Sequence, residues 1–442
     1  MPDCLREFVA AHKRDGRLGL TSVCSANRLV VEAVLVHAAK RNLTACIEST
    51  GQQVNQFGGY VGMQPRQFAE YVRQTARAAG LPNERLIPGG DHLGPEPWKH
   101  EAAETAMAKA RELIRQCVLA GYRKLHLDAS TACRDDVRDG RPWLSTETIA
   151  ERTAALCKSA EEAAGPGPDE VNRLAYVVGT EVPPAGGHHK DHREIPASSA
   201  ADMAETITLI RKAFVAKGLE PAWERCIALV AHHGAGFGPE VIWAYDSAKT
   251  AELRASIRNH ANLVFEAHST DFQTRASLAA MVQDHFAILK AGPCLTFAMR
   301  EAIFALAHME REWLGDRRGV TLSRLPEIMG NVMLAEPKHW RDHYRGGETY
   351  LRYITAYGFS DRLRYYWSHP RITEAVSLLF HNLARHGIPL PLLSQYLPAQ
   401  YAAVREGRLD GTPESLVTGK IFEILDRYAA ACGHSGERSR SI

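Results

Sequence analysis

The sequence predicts an α/β protein built on a closed (β/α)8 TIM barrel with a C-terminal helical extension. Three observations predict it: eight short apolar or β-branched runs that end in small, polar or ionisable residues, helix-like stretches between them, and loss of that alternation after about residue 300.

In chain order the runs are LGLTSVCSA near 18, TACIEST near 44, RLIPGGDHLGP near 85, KLHLDAS near 124, LAYVVGTEVP near 174, CIALVAHHGAGF near 226, NLVFEAHSTDF near 262 and FAILKAGPCLTF near 286. Each has the length and residue types of a strand. Between them, segments such as PRQFAEYVRQTARAAG and STETIAERTAALCKSAEEAAG repeat apolar residues at helical spacing and stop at Gly. An open doubly wound sheet is the competing arrangement, but no phosphate fingerprint follows the first run. Past residue 300, MREAIFALAHMEREWL, the Trp-, Tyr- and Arg-rich stretch from Trp340 to Trp367, TEAVSLLFHNLARHG and TPESLVTGKIFEILDRYAAACG read as helices. Thr412, Pro413 and Glu414 supply an N-cap, a first-position proline and a first-turn acid. The expected division is a barrel over 1–310, a helical extension packed on it over 311–432, and a frayed tail over 433–442.

Composition narrows the function classes. A net charge of +2, with Lys and Arg interspersed among Asp and Glu, builds no extended field for nucleic acid. The start of the chain lacks an apolar signal region, and no stretch approaches the roughly 18 apolar residues that span a bilayer. A cytoplasmic homo-oligomer with no membrane or nucleic-acid partner is expected. Nine cysteines without a C-x-x-C pair suit reduced thiols, with Cys46 and Cys226 in the core, better than a disulfide framework or a metal-ligand set.

A barrel of this kind builds its site at the C-terminal ends of its strands, and the ionisable residues lie there. The third run ends in Asp91 and His92, the fourth in Asp128, the fifth in Glu181, the sixth in His232 and His233, and the seventh in His268 and Asp271; the eighth carries Lys290. Successive strand side chains face opposite ways, so Asp91 and His92 both reach the interior only if the chain turns, which Gly89 and Gly90 would allow. Each histidine alone reads as a hydrogen-bonded core residue. Together, imidazoles from the third, sixth and seventh runs with Glu181 make a nitrogen and oxygen ligand set for one divalent ion, zinc first and manganese or magnesium next. Asp128, Ser130 and Ser269 stand beside this set as substrate contacts. The Gly234-Ala235-Gly236-Phe237-Gly238 run offers backbone N–H groups to a phosphate, or is a plain glycine loop. The loop from Gly186 to Glu194 is a lid with Lys190 reaching phosphate, or a solvated loop. Arg362, Arg364 and Tyr366 either reach the barrel mouth or are exposed helix residues. No G-x-S-x-G elbow, Walker A sequence or dinucleotide fingerprint appears, so serine-hydrolase, P-loop and NAD chemistry lose their main support.

The runs ESTGQQVNQFGGYVGM from Glu48, GGDHLGPEPW from Gly89, KLHLDAS from Lys124, VVGTEVP from Val177, FEAHSTDFQT from Phe265, DHFAILKAGPCLTFAMREAIFALA from Asp284 and SDRLRYYWSH from Ser360 closely resemble the tagatose-bisphosphate aldolase subunit family of the GatZ/KbaZ type. The resemblance implies a class II aldolase-like barrel in which a strand-end Asp-His pair supplies a proton-transfer carboxylate and a metal ligand. Asp91 and His92 match that pair, and His268 falls at a late-strand ligand position. The sixth run departs from the family, with Ala231-His232-His233-Gly234 where many members resemble Val-Gln-Pro-Gly. Two roles are implied: an accessory subunit for the catalytic chain of a class II tagatose 1,6-bisphosphate aldolase, or a 4-epimerase acting on tagatose 6-phosphate and fructose 6-phosphate. Direct aldol cleavage of tagatose 1,6-bisphosphate is a third. For the epimerase, His92, His268 and one of His232 or His233 hold the ion, with Glu181 as fourth ligand or base. Asp91 or Asp271 takes the C4 hydroxyl proton, and Lys290 binds substrate oxygens or, without metal, forms a Schiff base.

Overall fold

A computed structural model of the chain describes residues 4–136, 144–165, 167, 171–179 and 195–434. All eight expected runs form strands: β1 (Leu20–Cys24), β2 (Ala45–Thr50), β3 (Leu86–Leu93), β4 (Lys124–Leu127), β5 (Ala175–Gly179), β6 (Cys226–Val230), β7 (Val264–Ala267) and β8 (Ile288–Ala291). They pair in parallel in sequence order, and β8 closes on β1 with Leu20 opposite Ile288 and Val23 opposite Ala291. The chain is therefore a (β/α)8 TIM barrel. A two-residue hairpin, Gly236–Phe237 against Ile242–Trp243, follows β6.

The period-two alternation of each strand sorts its residues. Val23, Ile47, Leu125, Leu127, Tyr176, Val178, Phe265 and Leu289 belong to the large apolar core shared with the surrounding helices. Leu20, Cys46, Val177, Ala228, Val264 and Ile288 form a second apolar layer inside the barrel, where Leu5 and Val9 of the helix Cys4–Asp15 pack on them and plug its N-terminal end. Above that layer the interior is ionic. Glu48, Lys124 and Glu266 are wholly buried and Lys290 nearly so.

Past β8 the chain is helical. Pro293–Leu314 is buried along most of its length, followed by Leu325–Ala335, Glu348–Tyr357, a 3-10 stretch Arg362–Tyr366, Pro370–His386, Leu390–Tyr396, Pro398–Arg405 and Pro413–Ala431. The last of these begins as its sequence predicts, with the Thr412 hydroxyl accepting the Ser415 N–H. It packs against Arg28–Arg41, Arg275–Gln283 and Pro293–Leu314, so the end of the expected extension fills the last outer position of the barrel ring. Gly19 N–H donates to the Cys432 carbonyl and ties that helix to the start of β1. No described helix is long and apolar enough to cross a membrane.

Candidate metal and proton-transfer site

At the C-terminal end of the barrel, Asp91, His92, His126 and His268 each present one atom, and the four atoms lie within 4.8 Å of one another. The three imidazole centroids are 4.6 to 5.1 Å apart. Asp91 and His92 both arrive because the chain turns at His92 itself, whose φ is 46°, with a register shift against β4 between Gly90 and Leu93. The expected turn at Gly89 and Gly90 is not where it happens. Those glycines lack side chains for space: a Cβ on Gly89 would sit 3.0 Å from the Glu48 side chain, and one on Gly90 2.5 Å from Leu93.

Each member of the group is held by a second residue. His92 Nδ1 is 2.7 Å from Asp128 Oδ2, and Asp128 Oδ1 accepts from the Ser130 N–H at 3.0 Å and hydroxyl at 2.6 Å. Asp128, expected with Ser130 as a substrate contact, thus lies between Ser130 and His92 and orients the imidazole. Burial pushes the Asp128 carboxyl up, and the hydrogen bond and charge of His92 more than reverse it. His268 Nε2 lies 3.1 Å from Glu266 Oε1, and burial pulls its imidazole below the ordinary value. His126 Nε2 lies 3.2 Å from the Gly179 carbonyl, which can only accept, so that nitrogen carries the proton. Its Nδ1 then accepts the His92 backbone N–H at 3.2 Å and faces Asp91 Oδ1 at 3.0 Å. The cluster as a whole brings imidazole nitrogen and carboxylate oxygen to one point, a donor set that fits one divalent ion. Asp128→Asn is expected to lower affinity for divalent metal about 10–100-fold, read by competition with a chromophoric chelator.

Beneath this group lies the ionic layer. Lys124 Nζ bridges Glu48 Oε1 at 2.7 Å and Glu266 Oε2 at 2.5 Å. Lys290 Nζ pairs with Glu48 Oε2 and, at 3.0 Å, with Asp91 Oδ1, and is 3.9 Å from Glu266 Oε1. Burial draws the Lys290 ammonium down to about 8, while its direct, buried ion pairs with Glu48 and Asp91 favour the charged form. Lys290 thus stands in the buried ionic layer as a direct partner of Asp91.

Other expected site residues lie apart from the group. His233 Nε2 is 2.7 Å from the His268 carbonyl and its Nδ1 accepts the Ala235 N–H, so both ring nitrogens serve the backbone. His232 Nδ1 accepts the Gly234 N–H. Among the described residues neither belongs to the four-residue cluster. The Gly234 N–H and the Ala235 N–H are thereby committed, and Gly236 enters the hairpin, which argues against a phosphate cradle in this run. Asp271 Oδ1 accepts the Gly292 and Cys294 N–H groups at 3.1 and 2.9 Å, capping the helix Pro293–Leu314 rather than reaching the cluster as a base. Ser269, with φ 54°, follows His268 at the mouth and is buried. Glu181 and Lys190 lie outside the described residues.

His233 also sets a pH dependence. Burial holds its imidazole down at about 4, against about 6.5 in the unfolded chain. Above pH 6.5 it is neutral in both states. As pH falls toward 4 the unfolded chain takes up a proton that the folded chain refuses, so stability falls, by on the order of 3 kcal/mol from this group. His233→Gln, which can still donate and accept, is expected to flatten that part of the pH profile of the urea midpoint.

Residues 5–433 match the family described as D-tagatose-1,6-bisphosphate aldolase subunit GatZ/KbaZ-like. A protein from Sinorhizobium meliloti 1021, described as a probable tagatose 6 phosphate kinase, is 38% identical over 94% of this chain and 100% of its own, with a TM-score of 0.84. The YdjI aldolase from Escherichia coli K12 is 12% identical over 86% of this chain and 97% of its own, with a TM-score of 0.43. A fructose-bisphosphate aldolase from Campylobacter jejuni is 12% identical over 86% and 94%, with a TM-score of 0.46.

Proposed function

Because the chain belongs to the GatZ/KbaZ-like family of D-tagatose-1,6-bisphosphate aldolase subunits, we propose that its barrel is a ketose-phosphate 4-epimerase, interconverting D-tagatose 6-phosphate and D-fructose 6-phosphate. The observation that carries this reading is the convergence of Asp91, His92, His126 and His268, each fixed by a partner, on one point at the barrel mouth. C4 of a 2-ketose is not adjacent to the carbonyl, so simple enolisation does not invert it. Breaking and remaking the C3–C4 bond does.

In this scheme Asp91 accepts the C4 hydroxyl proton as the bond breaks, giving a three-carbon enediolate and an aldehyde that keeps the phosphate. The aldehyde turns its other face, the bond re-forms, and Asp91 returns the proton. Lys290 holds Asp91 as the ionised acceptor at the outset. A divalent ion, zinc first and manganese or magnesium next, would be held by His92, His126 and His268 and would supply Lewis acidity to the C2 and C3 oxygens.

The experiment is synthesis from the fragments. Given dihydroxyacetone and D-glyceraldehyde 3-phosphate, the purified chain is expected to form both ketose 6-phosphates by NMR; neither forming would remove the bond-making step. The family description favours a second reading, an accessory subunit for a class II aldolase catalytic chain. Such a subunit would co-purify with that chain and give no ketose alone. Direct cleavage of tagatose 1,6-bisphosphate is the third reading, and would show as turnover of the bisphosphate only.

A further inference from the structure

While the C3–C4 bond is open, the aldehyde fragment must turn without leaving, and its phosphate is the one strong handle it retains. A cavity of about 560 Å³ lies between the ends of β1 and β8 and the C-terminal helices, with Cys24, Asn27, Arg28, Gln53, Thr296 and Arg364 in its wall. That volume suits a small phosphorylated ligand. It adjoins the proton-transfer group: burial raises the Cys24 thiol well above its ordinary value, and the charge of the neighbouring Asp91 raises it further.

The wall is positive on several independent counts. Two guanidinium groups line it. Arg364 spends donors on the Ser360 carbonyl at 2.6 Å, the Asp361 carbonyl at 2.9 Å and the Tyr365 hydroxyl at 3.0 Å, which fixes its plane and, among the described residues, leaves two of its roughly five N–H groups uncommitted. It forms no ion pair among the described residues. Arg28 forms none either and lies over the Tyr71 ring. The helix Arg28–Arg41 also starts at this wall with Asn27 as its cap and presents the positive end of its dipole; the start of Pro293–Leu314 is already taken by the Asp271 carboxyl. The opposing groups are Glu32 in the wall, whose carboxylate accepts from the Tyr71 hydroxyl at 3.5 Å, and the buried Asp361 and Asp271 behind it, both near enough to feel the charge of Arg364. Glu32 is the one acid among the lining residues, and two guanidinium groups and one helix start face the same space.

We infer that this cavity is the phosphate seat of the substrate, with Arg364 as its anion-binding residue and Arg28 at the rim, and that it tethers the aldehyde phosphate while the C3–C4 bond is open. The ligand's identity rests on the epimerase reading; the anion site is testable without turnover. The probe is D-glucitol 6-phosphate, which has no carbonyl to react, titrated calorimetrically into the full chain beside glucitol and inorganic phosphate. Glucitol 6-phosphate is expected to bind, glucitol to bind far more weakly, and inorganic phosphate to compete. Arg364→Met should weaken the sugar phosphate about 10–100-fold. Arg28→Gln removes no hydrogen bond from the fold, should weaken it by a smaller factor, and serves if Arg364→Met does not fold. Unchanged affinity in the variants, glucitol binding as tightly as its phosphate, or inorganic phosphate binding without competition would each overturn the inference. An inactive chain that still loses glucitol 6-phosphate on Arg364→Met would sink the epimerase reading alone. In an active chain, Arg364→Met should also raise the fraction of aldehyde phosphate captured by an added trapping dehydrogenase; an unchanged fraction would overturn the tether.

Discussion

Asp91→Asn is expected to lower kcat/KM for fructose 6-phosphate about 10³-fold while leaving the chain folded, the scale of a lost general base. The amide keeps the shape of the carboxylate but cannot take up the C4 hydroxyl proton. The surroundings tolerate the change in charge: Lys290 retains Glu48 as a direct partner and Glu266 at 3.9 Å. Among the described carboxylates Asp91 is the one in the histidine cluster, while Asp128 is spent on His92 and Ser130 and Asp271 on a helix start. Steady-state kinetics with circular dichroism and metal content as controls decide it. A loss of tenfold or less in a folded, metal-loaded variant would take the proton-transfer role away from Asp91.

Lys124→Met should destabilise the chain by about 3–5 kcal/mol, the range for removing one partner from a buried ion pair. Lys124 is wholly buried between Glu48 and Glu266, and its positive charge draws the Glu266 carboxyl down to about 2 against the burial that raises it. Without it two buried carboxylates face each other with Lys290 alone to offset them. Adding Glu48→Gln and Glu266→Gln to the methionine variant should recover much of the loss, because the uncompensated charge is then gone. Thermal inactivation rates and urea midpoints measure this. A single-variant effect below about 1 kcal/mol would mean that water or local movement already screens the layer.

The strands were legible because a parallel strand buried on both faces is a short apolar run, and all eight runs became strands. Part of the site was legible at the strand ends, where Asp91, His92 and His268 meet. His126, Glu48, Lys124 and Glu266 were missed because attention to strand ends passes over charges inside a strand. The signal was present as alternation: Lys124, His126 and Asp128 in KLHLD, and Glu266 and His268 in FEAH, recur every second residue on the inward face. Asp271 and His233 are different. Asp271 is a cap only because Gly292 and Cys294 arrive from beyond β8, and His233 is committed only because the His268 carbonyl meets one ring nitrogen and the Ala235 N–H the other. Neither is written in local spacing. Arg362 and Tyr366 were expected at the mouth or in solvent and are instead buried, because their 3-10 stretch packs between other helices.

The most direct test of the epimerase account is incubation of the purified, metal-loaded chain alone with fructose 6-phosphate, with and without a chelator, following tagatose 6-phosphate by NMR. The account predicts tagatose 6-phosphate that disappears with chelation and returns when metal is restored. No tagatose 6-phosphate from a folded, metal-loaded chain would contradict it, and product indifferent to the chelator would contradict the role given to the histidine cluster.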